Sequence, residues 1–181
     1  MNGEELLIGV TGGIAAYKTA ALVSRLVQAG AQVTVVMTEA SQKFVGPTTF
    51  AALTGRPVYT KSFDDSRFPL GAHISLARQS RLMCIAPASA DFLAKAANGI
   101  AEDLLSTLYL SFTGLILVAP AMNCEMWGKP AVQRNITQLK EDGVHVVGPE
   151  EGWLSCRVRG VGRMSEPDVI FEAIAGVLKQ N

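Results

Sequence analysis

The sequence has little charge of either sign. Lys and Arg number 16 together, as do Asp and Glu, so the formal net charge is zero, and only 18% of the residues are charged. A neutral chain without a Lys/Arg run lacks the electrostatic attraction that binding to a polyanion requires. We therefore expect no nucleic-acid partner.

Cysteine is also scarce: Cys84, Cys124 and Cys156 are widely spaced and form no Cys-x-x-Cys pair. This predicts free thiols and no metal site. No apolar stretch reaches the roughly 18 residues of a membrane span. Glu4 and Glu5 stand where a signal peptide would be basic. These absences predict a cytoplasmic protein without a membrane partner.

Hydrophobic residues, at 49% of 181, are plentiful enough for one full core. Apolar β-branched runs alternate with helical stretches that often end at glycine, which is typical of a parallel α/β sheet. The predicted strands are residues 6–10, 33–37, 57–60, 82–86, 115–119 and 144–147, and the predicted helices are residues 14–29, 48–54, 90–97, 103–111, 130–142 and 167–179. We predict a single α/β domain with a three-layer, doubly wound, Rossmann-like parallel sheet of about six strands.

Two segments break this alternation. Residues 61–80 are predicted to be mostly loop, with His73 in the loop or just entering a helix. Residues 148–164 begin at Gly148 and carry three further glycines and three arginines around Cys156. Long irregular segments of compact domains are commonly functional, so we expect chemistry there and at the strand ends.

A glycine-rich turn containing Gly12, Gly13 and Ile14 joins the first strand to a helix. The free N–H groups and positive dipole of such a helix start suit a phosphate. The turn does not match G-x-G-x-x-G, and it does not match the P-loop because Tyr17 replaces the glycine before Lys18. A tight turn without a ligand is the alternative.

Small polar residues follow other strands or lie in the next helix. Thr38, Ser89 and Ser106 could help to hold a phosphorylated, ring-bearing cofactor at the carboxyl edge of the sheet. Helix capping is the alternative for each of them.

The reactive candidates are an amide, an imidazole and a thiol. Asn123 could grip a carboxylate between apolar walls, unless it only caps a turn. His73 could act as a base near neutral pH, unless it is structural. Cys156 lies among arginines that favour a thiolate, unless it is passive. Cys84 is predicted to be a core residue, and Cys124 has no assigned role.

Four segments carry a resemblance to a known family: residues 12–15, residues 73–78 (HISLAR), residues 120–127 (PAMNCEMW), and Cys156 with residues 160–164 (GVGRM). In this order they resemble the flavin-containing cysteine decarboxylases, closest to the 4'-phosphopantothenoylcysteine decarboxylase domain of bacterial coenzyme A biosynthesis. The resemblance covers nearly the whole chain. It implies an FMN-dependent carboxy-lyase that forms 4'-phosphopantetheine through a thioaldehyde and an enethiol.

The resemblance also implies site residues and an assembly. For FMN it implies contacts from Gly12, Gly13, Ile14, Thr38, Ser89, Ala90, Asp91, Phe92 and Ala121, and Ser106 and Met122 are further predicted FMN-binding residues. It implies His73 as base, Asn123 as carboxylate clamp and Cys156 as proton donor. Substrate contacts are implied from Asn123 and from Trp153, Ser155 and Met164, the last three in a mobile flap over residues 148–164. It further implies a homotrimer, in some members assembled into a dodecamer, with FMN near a subunit boundary.

Several alternatives stay open. Arg157, Arg159 and Arg163 are equal candidates for binding the substrate phosphate. A peptidyl-cysteine decarboxylase shares the His and Asn, although its members commonly lack the reducing Cys. A non-catalytic, flavin-binding regulatory subunit could keep the same fold.

Overall fold

Six parallel strands form the central sheet of the computed structural model, which describes residues 1–62 and 71–179. They are β1 (Glu5–Val10), β2 (Gln32–Met37), β3 (Val58–Tyr59), β4 (Leu82–Ala88), β5 (Leu115–Pro120) and β6 (His145–Val146). The order across the sheet is β3-β2-β1-β4-β5-β6, so the chain starts near the centre and winds outward in both directions. The doubly wound, Rossmann-like prediction is confirmed, including the weak edge strand at residues 57–60.

Helices cover both faces of the sheet. They are α1 (Ala16–Gln28), α2 (Pro47–Thr54), α3 (Ala72–Gln79), α4 (Ala90–Asn98), α5 (Leu104–Ser111), α6 (Cys124–Trp127), α7 (Pro130–Glu141) and α8 (Pro167–Lys179). Helix α1 packs with α2 and α8, while α4 packs with α5 and α7. No helix in the described ranges is long and apolar enough to cross a membrane.

Two hydrophobic cores lie on the two faces of the sheet. Leu6 and Ile8 of β1 point into one core, and Leu7 between them points into the other. Successive side chains of a strand alternate between faces, so a strand covered on both faces must be apolar throughout. This explains the unbroken apolar runs in the sequence.

Two segments differ from the prediction. Residues 72–79 form α3 instead of loop, and His73 is its second residue; residues 63–70 lie outside the described part. The helix is short, and its buried residues Ala72, Leu76 and Ala77 give only a weak pattern.

Residues 148–164, predicted to be irregular, contain an antiparallel hairpin of β7 (Glu150–Trp153) and β8 (Arg159–Arg163). We call this element the β7–β8 hairpin. Its three glycines stand where close packing leaves no space for a side chain, and together with its arginines they conceal the alternating pattern of a strand.

Candidate active site

A cavity of about 560 Å³ lies at the carboxyl edge of the sheet, which is within the usual range for small-molecule sites. Its lining comes from the turn before α1, the start of α4, the segment after β5 and the β7–β8 hairpin. The predicted site residues in this lining are Gly12, Gly13, Ile14, Ser89, Ala90, Ala121, Met122, Asn123, Trp153, Ser155, Cys156 and Met164. Residues from opposite ends of the chain therefore meet in one place.

The start of α1 forms the anion-binding end of this cavity. No side chain caps this helix and its first turn has no acidic residue. The amides of Ala16 and Lys18 donate to the backbone carbonyls of Gly13 and Ala15, and the other N–H groups of the turn are available to a ligand. A Cβ on Gly12 would lie 2.6 Å from the Cβ of Ala40, whereas one on Gly13 would have no neighbour closer than 3.9 Å. Gly12 is thus needed for the close approach of the loop after β2, and Gly13 leaves space beside the helix start.

A buried threonine that the sequence did not single out joins two strand ends at this edge. The Thr11 hydroxyl donates to the Pro87 carbonyl at 2.7 Å and accepts from the Ser89 amide at 2.9 Å. These bonds fix the end of β1 against the end of β4. The glycine turn and the start of α4 are thereby fixed in position relative to each other.

A second cavity, of about 740 Å³, adjoins the first and shares Gly12, Ser89, Ala90 and Met126 with it. Three further predicted cofactor residues line it: Thr38, Asp91 and Phe92. The Thr38 hydroxyl accepts from the Ser41 amide at 3.3 Å, so it also shapes its own turn. Together the two cavities have room for a phosphate at one end and a ring system at the other.

Lys95 organises the acidic side of the second cavity. Its ammonium lies 2.8 Å from Asp91 and also pairs with Glu102 and Asp103. Partial burial opposes the charge, but hydrogen bonds to Asp91 and Glu102 outweigh it and raise the pKa of Lys95 above its ordinary value. The Asp91 carboxylate is therefore paired within the chain.

Ser106 lies outside both cavity linings. It is 1% exposed and belongs to the capping box of α5, in which its amide donates to Asp103 at 2.8 Å. Ser106 therefore caps a helix, which was the alternative to a cofactor contact, and it does not line the site.

The β7–β8 hairpin is docked directly onto the segment after β5. The Met122 amide donates to the Gly162 carbonyl at 2.9 Å, and a Cβ on Gly162 would overlap the Met122 carbonyl oxygen. A Cβ on Gly160 would lie 2.8 Å from the Cβ of Cys124. These close approaches bring the Asn123 amide and the Cys156 thiol into one cavity.

The amide of Asn123 has a defined orientation. Its Oδ1 accepts from the amides of Glu125 at 2.7 Å and Met126 at 3.4 Å, which caps the short helix α6. Its Nδ2 has no hydrogen-bond partner among the described residues. The cap occupies the acceptor end, so the free end is a donor, which suits the oxygen of a carboxylate. Capping and ligand binding are thus two uses of one side chain.

The hairpin contributes both apolar and reactive groups. Trp153 is 67% exposed at the cavity, whereas Met164 is 1% exposed and forms part of its floor. Ser155 and Cys156 lie in the turn between β7 and β8, where both are exposed. The thiol is therefore accessible to a bound molecule.

Lys18 and Glu166 line the same cavity but were not among the predicted site residues. Lys18 as a whole is only 8% exposed. Its ammonium lies 3.1 Å from the Met164 carbonyl oxygen and 3.0 Å from the Glu166 carboxylate. Arg163 also donates to Glu166. Hydrogen bonds from Lys18 and Arg163 lower the pKa of Glu166. This ion triad ties α1 to the chain leaving the hairpin; a lysine on the buried face of an amphipathic helix was the available clue.

His73 is not in the lining of either cavity formed by the described residues. It is partly exposed at the start of α3, beside Gly71. The single chain therefore brings together two of the three predicted reactive groups.

The other cysteines have separate environments. Cys84 is fully buried in β4, and this burial raises the pKa of its thiol to about 12, as expected for a core residue. Cys124 is half-buried against the hairpin. No group of three or more His, Cys, Asp or Glu side chains within residues 1–62 and 71–179 could hold a metal ion.

A doubly wound sheet with an uncapped helix start, a glycine turn and two adjoining cavities defines a nucleotide- or flavin-binding α/β protein. The Flavoprotein family model matches residues 1–179. The chain belongs to this family, as its sequence motifs suggested.

Curated relatives extend the match. The chain is 46% identical over 172 residues to the coenzyme A biosynthesis bifunctional protein CoaBC of Bacillus subtilis, covering 95% of this chain and 42% of that protein. It is 43% identical over 180 residues to CoaBC of Haemophilus influenzae, covering 99% and 45%. The chain thus spans less than half the length of these relatives.

Two solved structures show the same fold. A Cys-to-Ser mutant of a PPC decarboxylase, complexed with pantothenoylaminoethenethiol, superposes with a TM-score of 0.87 at 27% identity, covering 98% of this chain and all of the other. The FMN-dependent cysteine decarboxylase SpaF superposes with a TM-score of 0.83 at 35% identity, covering 98% and 96%.

Proposed function

We propose that this chain is an FMN-dependent carboxy-lyase that converts 4'-phosphopantothenoylcysteine into 4'-phosphopantetheine in coenzyme A biosynthesis. The observation that carries the proposal is the docking of the β7–β8 hairpin on the Asn123 turn, which places Asn123 and Cys156 in the cavity that begins at Gly12. The similarity to CoaBC proteins and to a PPC decarboxylase names the reaction class.

The residues present fit FMN. The uncapped start of α1 beside Gly13 offers N–H donors to the FMN phosphate. The second cavity, with Thr38 and Phe92 in its lining, offers room for the ring. When bound, FMN supplies the electron sink that a β-thiol carboxylate lacks, and it ends the cycle in its starting state.

The chain's own groups then orient the substrate and move protons. The free Nδ2 of Asn123 binds the departing carboxylate, whose orientation lowers the barrier to loss of CO2. The Cys156 thiol lies on the hairpin of the same cavity and donates a proton to the substrate carbon in the reductive half. Met122 and Trp153 form apolar walls that exclude water from the carboxylate.

His73 is proposed as the base that accepts the substrate thiol proton in the oxidative half. It is absent from the cavity lining formed by the described residues of one chain, so we propose a homotrimer, or a dodecamer built from such trimers, in which the cavity lies at a subunit boundary. His73 of the partner subunit would then complete the site. The apolar side chains exposed around the mouth, Tyr17 at 61% and Trp153 at 67%, support a covered location. A cytoplasmic location remains our prediction.

A peptidyl-cysteine decarboxylase is the second candidate. The similarity to SpaF, at 35% identity, favours a cysteine decarboxylase without choosing its substrate. The Cys156 thiol in the cavity favours the small-molecule reaction, because it allows the enethiol to be converted to a saturated product.

The test is a product analysis. Purified protein loaded with FMN is incubated with 4'-phosphopantothenoylcysteine in one reaction and with a peptide ending in cysteine in another, and the products are identified by mass. We expect loss of CO2 and a saturated thiol in the first reaction only. Turnover of the peptide alone would establish the second candidate. Bound FMN without turnover of either would indicate a regulatory subunit.

A further inference from the structure

The turn of the β7–β8 hairpin has an unusual backbone. The Leu154 amide bonds to the Val158 carbonyl, and the Arg157 amide bonds to the Leu154 carbonyl, both at 2.9 Å, which closes a three-residue turn. In such a turn the third residue takes the left-handed conformation, where glycine is the usual choice. Here that residue is Arg157, with φ +64°, the single non-glycine residue with positive φ in residues 1–62 and 71–179.

Arginine costs conformational energy at this position, since its Cβ crowds the backbone where glycine has none. A strained residue beside a functional group points to a use for its side chain. The preceding two residues, Ser155 and Cys156, line the cavity. Arg157 directly follows the reactive thiol in the chain, and its long side chain is exposed on the turn, so it can extend away from the thiol.

The neighbouring arginines are already engaged. Arg159 lies 3.2 Å from Glu151 across the hairpin, and Arg163 pairs with Glu166 in the ion triad. The Arg157 side chain forms no ion pair or hydrogen bond with any residue in the described ranges. Of these three arginines, it has the guanidinium most available to an external anion.

The position also suits the length of the substrate. The 4'-phosphate is separated from the cysteine by a chain equivalent to about four residues, on the order of 14 Å when extended. With the reacting carboxylate at Asn123, inside the cavity, the phosphate of an extended substrate would reach beyond the cavity lining, where Arg157 of the hairpin turn is exposed. We propose that Arg157 binds the 4'-phosphate of the substrate and is a specificity-determining residue; this inference rests on the proposed function.

The test compares kcat/KM for 4'-phosphopantothenoylcysteine with that for pantothenoylcysteine, which lacks the phosphate. Arg157→Gly removes the guanidinium and relieves the conformational strain of a positive φ, so the Tm of this variant should equal or exceed that of the unmodified protein. We expect its kcat/KM for the phosphorylated substrate to fall about ten- to hundredfold, mainly through KM, with a change of about twofold or less for the other substrate.

Arg159→Gln is the matched control, because it removes a paired arginine from the same hairpin. It should leave the preference for the phosphorylated substrate unchanged, and Arg157→Lys should retain part of that preference. An unchanged preference in Arg157→Gly, with turnover intact, would overturn this inference alone. Absence of turnover of both substrates by the unmodified protein would overturn the proposed function, and this inference with it.

Discussion

The Met122 amide donates a 2.9 Å hydrogen bond to the Gly162 carbonyl, and there is no room for a Cβ between Gly162 and the Met122 carbonyl oxygen. This contact joins the β7–β8 hairpin to the turn that carries Asn123. Because the obstructing atom belongs to the backbone, it cannot rotate away as a flexible side chain would. The reactive amide and thiol share a cavity only while this contact holds.

Gly162→Ala should therefore separate the hairpin from the Asn123 turn. Relief of such an overlap typically costs 1–3 kcal/mol, so we expect kcat/KM to fall by at least about tenfold, with the far-UV circular dichroism of the α/β fold retained. Gly176→Ala in α8 is the control, because a Cβ there has open space. It should keep full activity. Equal activity of the two variants would show that the hairpin does not need this contact.

The double use of Asn123 predicts a separation of stability from activity. Asp can replace Asn as a cap through the same oxygen, so Asn123→Asp should keep a Tm close to that of the unmodified protein. It would, however, set a carboxylate against the substrate carboxylate, and we expect kcat/KM to fall about a hundredfold or more. Asn123→Ala loses the cap as well, typically about 1 kcal/mol. Measurements of Tm and turnover on both variants test this prediction. Normal turnover of the Asp variant would show that Asn123 does not bind the substrate carboxylate.

The exposed Cys156 thiol in the cavity predicts an interrupted reaction. Cys156→Ser should still release CO2, since the serine does not alter the Asn123 clamp, but it should accumulate the unsaturated enethiol because the proton donor is weaker. Mass analysis distinguishes that product from the saturated thiol by two hydrogens. A normal yield of saturated thiol would assign proton donation to another group.

Much of the fold could be predicted because its signals are local. The apolar runs of β1, β2, β4 and β5 show directly that these strands are buried on both faces. Gly30 and Gly55, with φ of +85° and +66°, end helices where the sequence placed those ends. The position of the glycine turn of residues 12 and 13 at a helix start followed from the same alternation of strand and helix.

The β7–β8 hairpin and the ion triad could not be predicted, because their signals are not local. Gly160 and Gly162 are required by the Asn123 turn far away in the chain, so their meaning is visible only after folding. Lys18 and Glu166 are separated by 148 positions. Nothing in the sequence near either residue indicates the other.

The ion triad predicts a stability effect with a definite pH dependence. Hydrogen bonds from Lys18 and Arg163 lower the pKa of Glu166 in the folded chain. A carboxyl with a depressed folded pKa contributes stability above its unfolded pKa, about 4.3, and loses it as pH falls through the folded value. Since Glu166 is 42% exposed, we expect Glu166→Gln to cost only about 1 kcal/mol at pH 7, or roughly 2–4 °C in Tm.

That difference should shrink as pH falls below about 4, because protonation then removes the charge from the unmodified protein too. Thermal unfolding of both proteins from pH 3 to 7 provides the measurement. Arg159→Gln, which breaks only the exposed pair with Glu151, is the control and should shift Tm by less at every pH. A constant or growing gap between Glu166→Gln and the unmodified protein toward low pH would contradict the assignment.

The close approach of Gly12 to Ala40 predicts a defect in cofactor binding that a second substitution can rescue. A Cβ on Gly12 would meet the Ala40 Cβ at 2.6 Å, so Gly12→Ala should push the loop after β2 away from the start of α1. We expect FMN affinity to fall by about tenfold or more, measured by titration of flavin fluorescence. Ala40→Gly alone removes the opposing methyl and should bind FMN nearly normally.

The double variant Gly12→Ala with Ala40→Gly decides the cause. The main clash is between two methyl carbons, and the next Ala40 atom is 3.3 Å away, so removal of one methyl should restore most of the affinity. A merely additive loss in the double variant would mean that the Gly12 methyl blocks the ligand itself. Rescue would instead show that Gly12 acts by admitting the Ala40 loop, and that this loop positions the phosphate end of the FMN site.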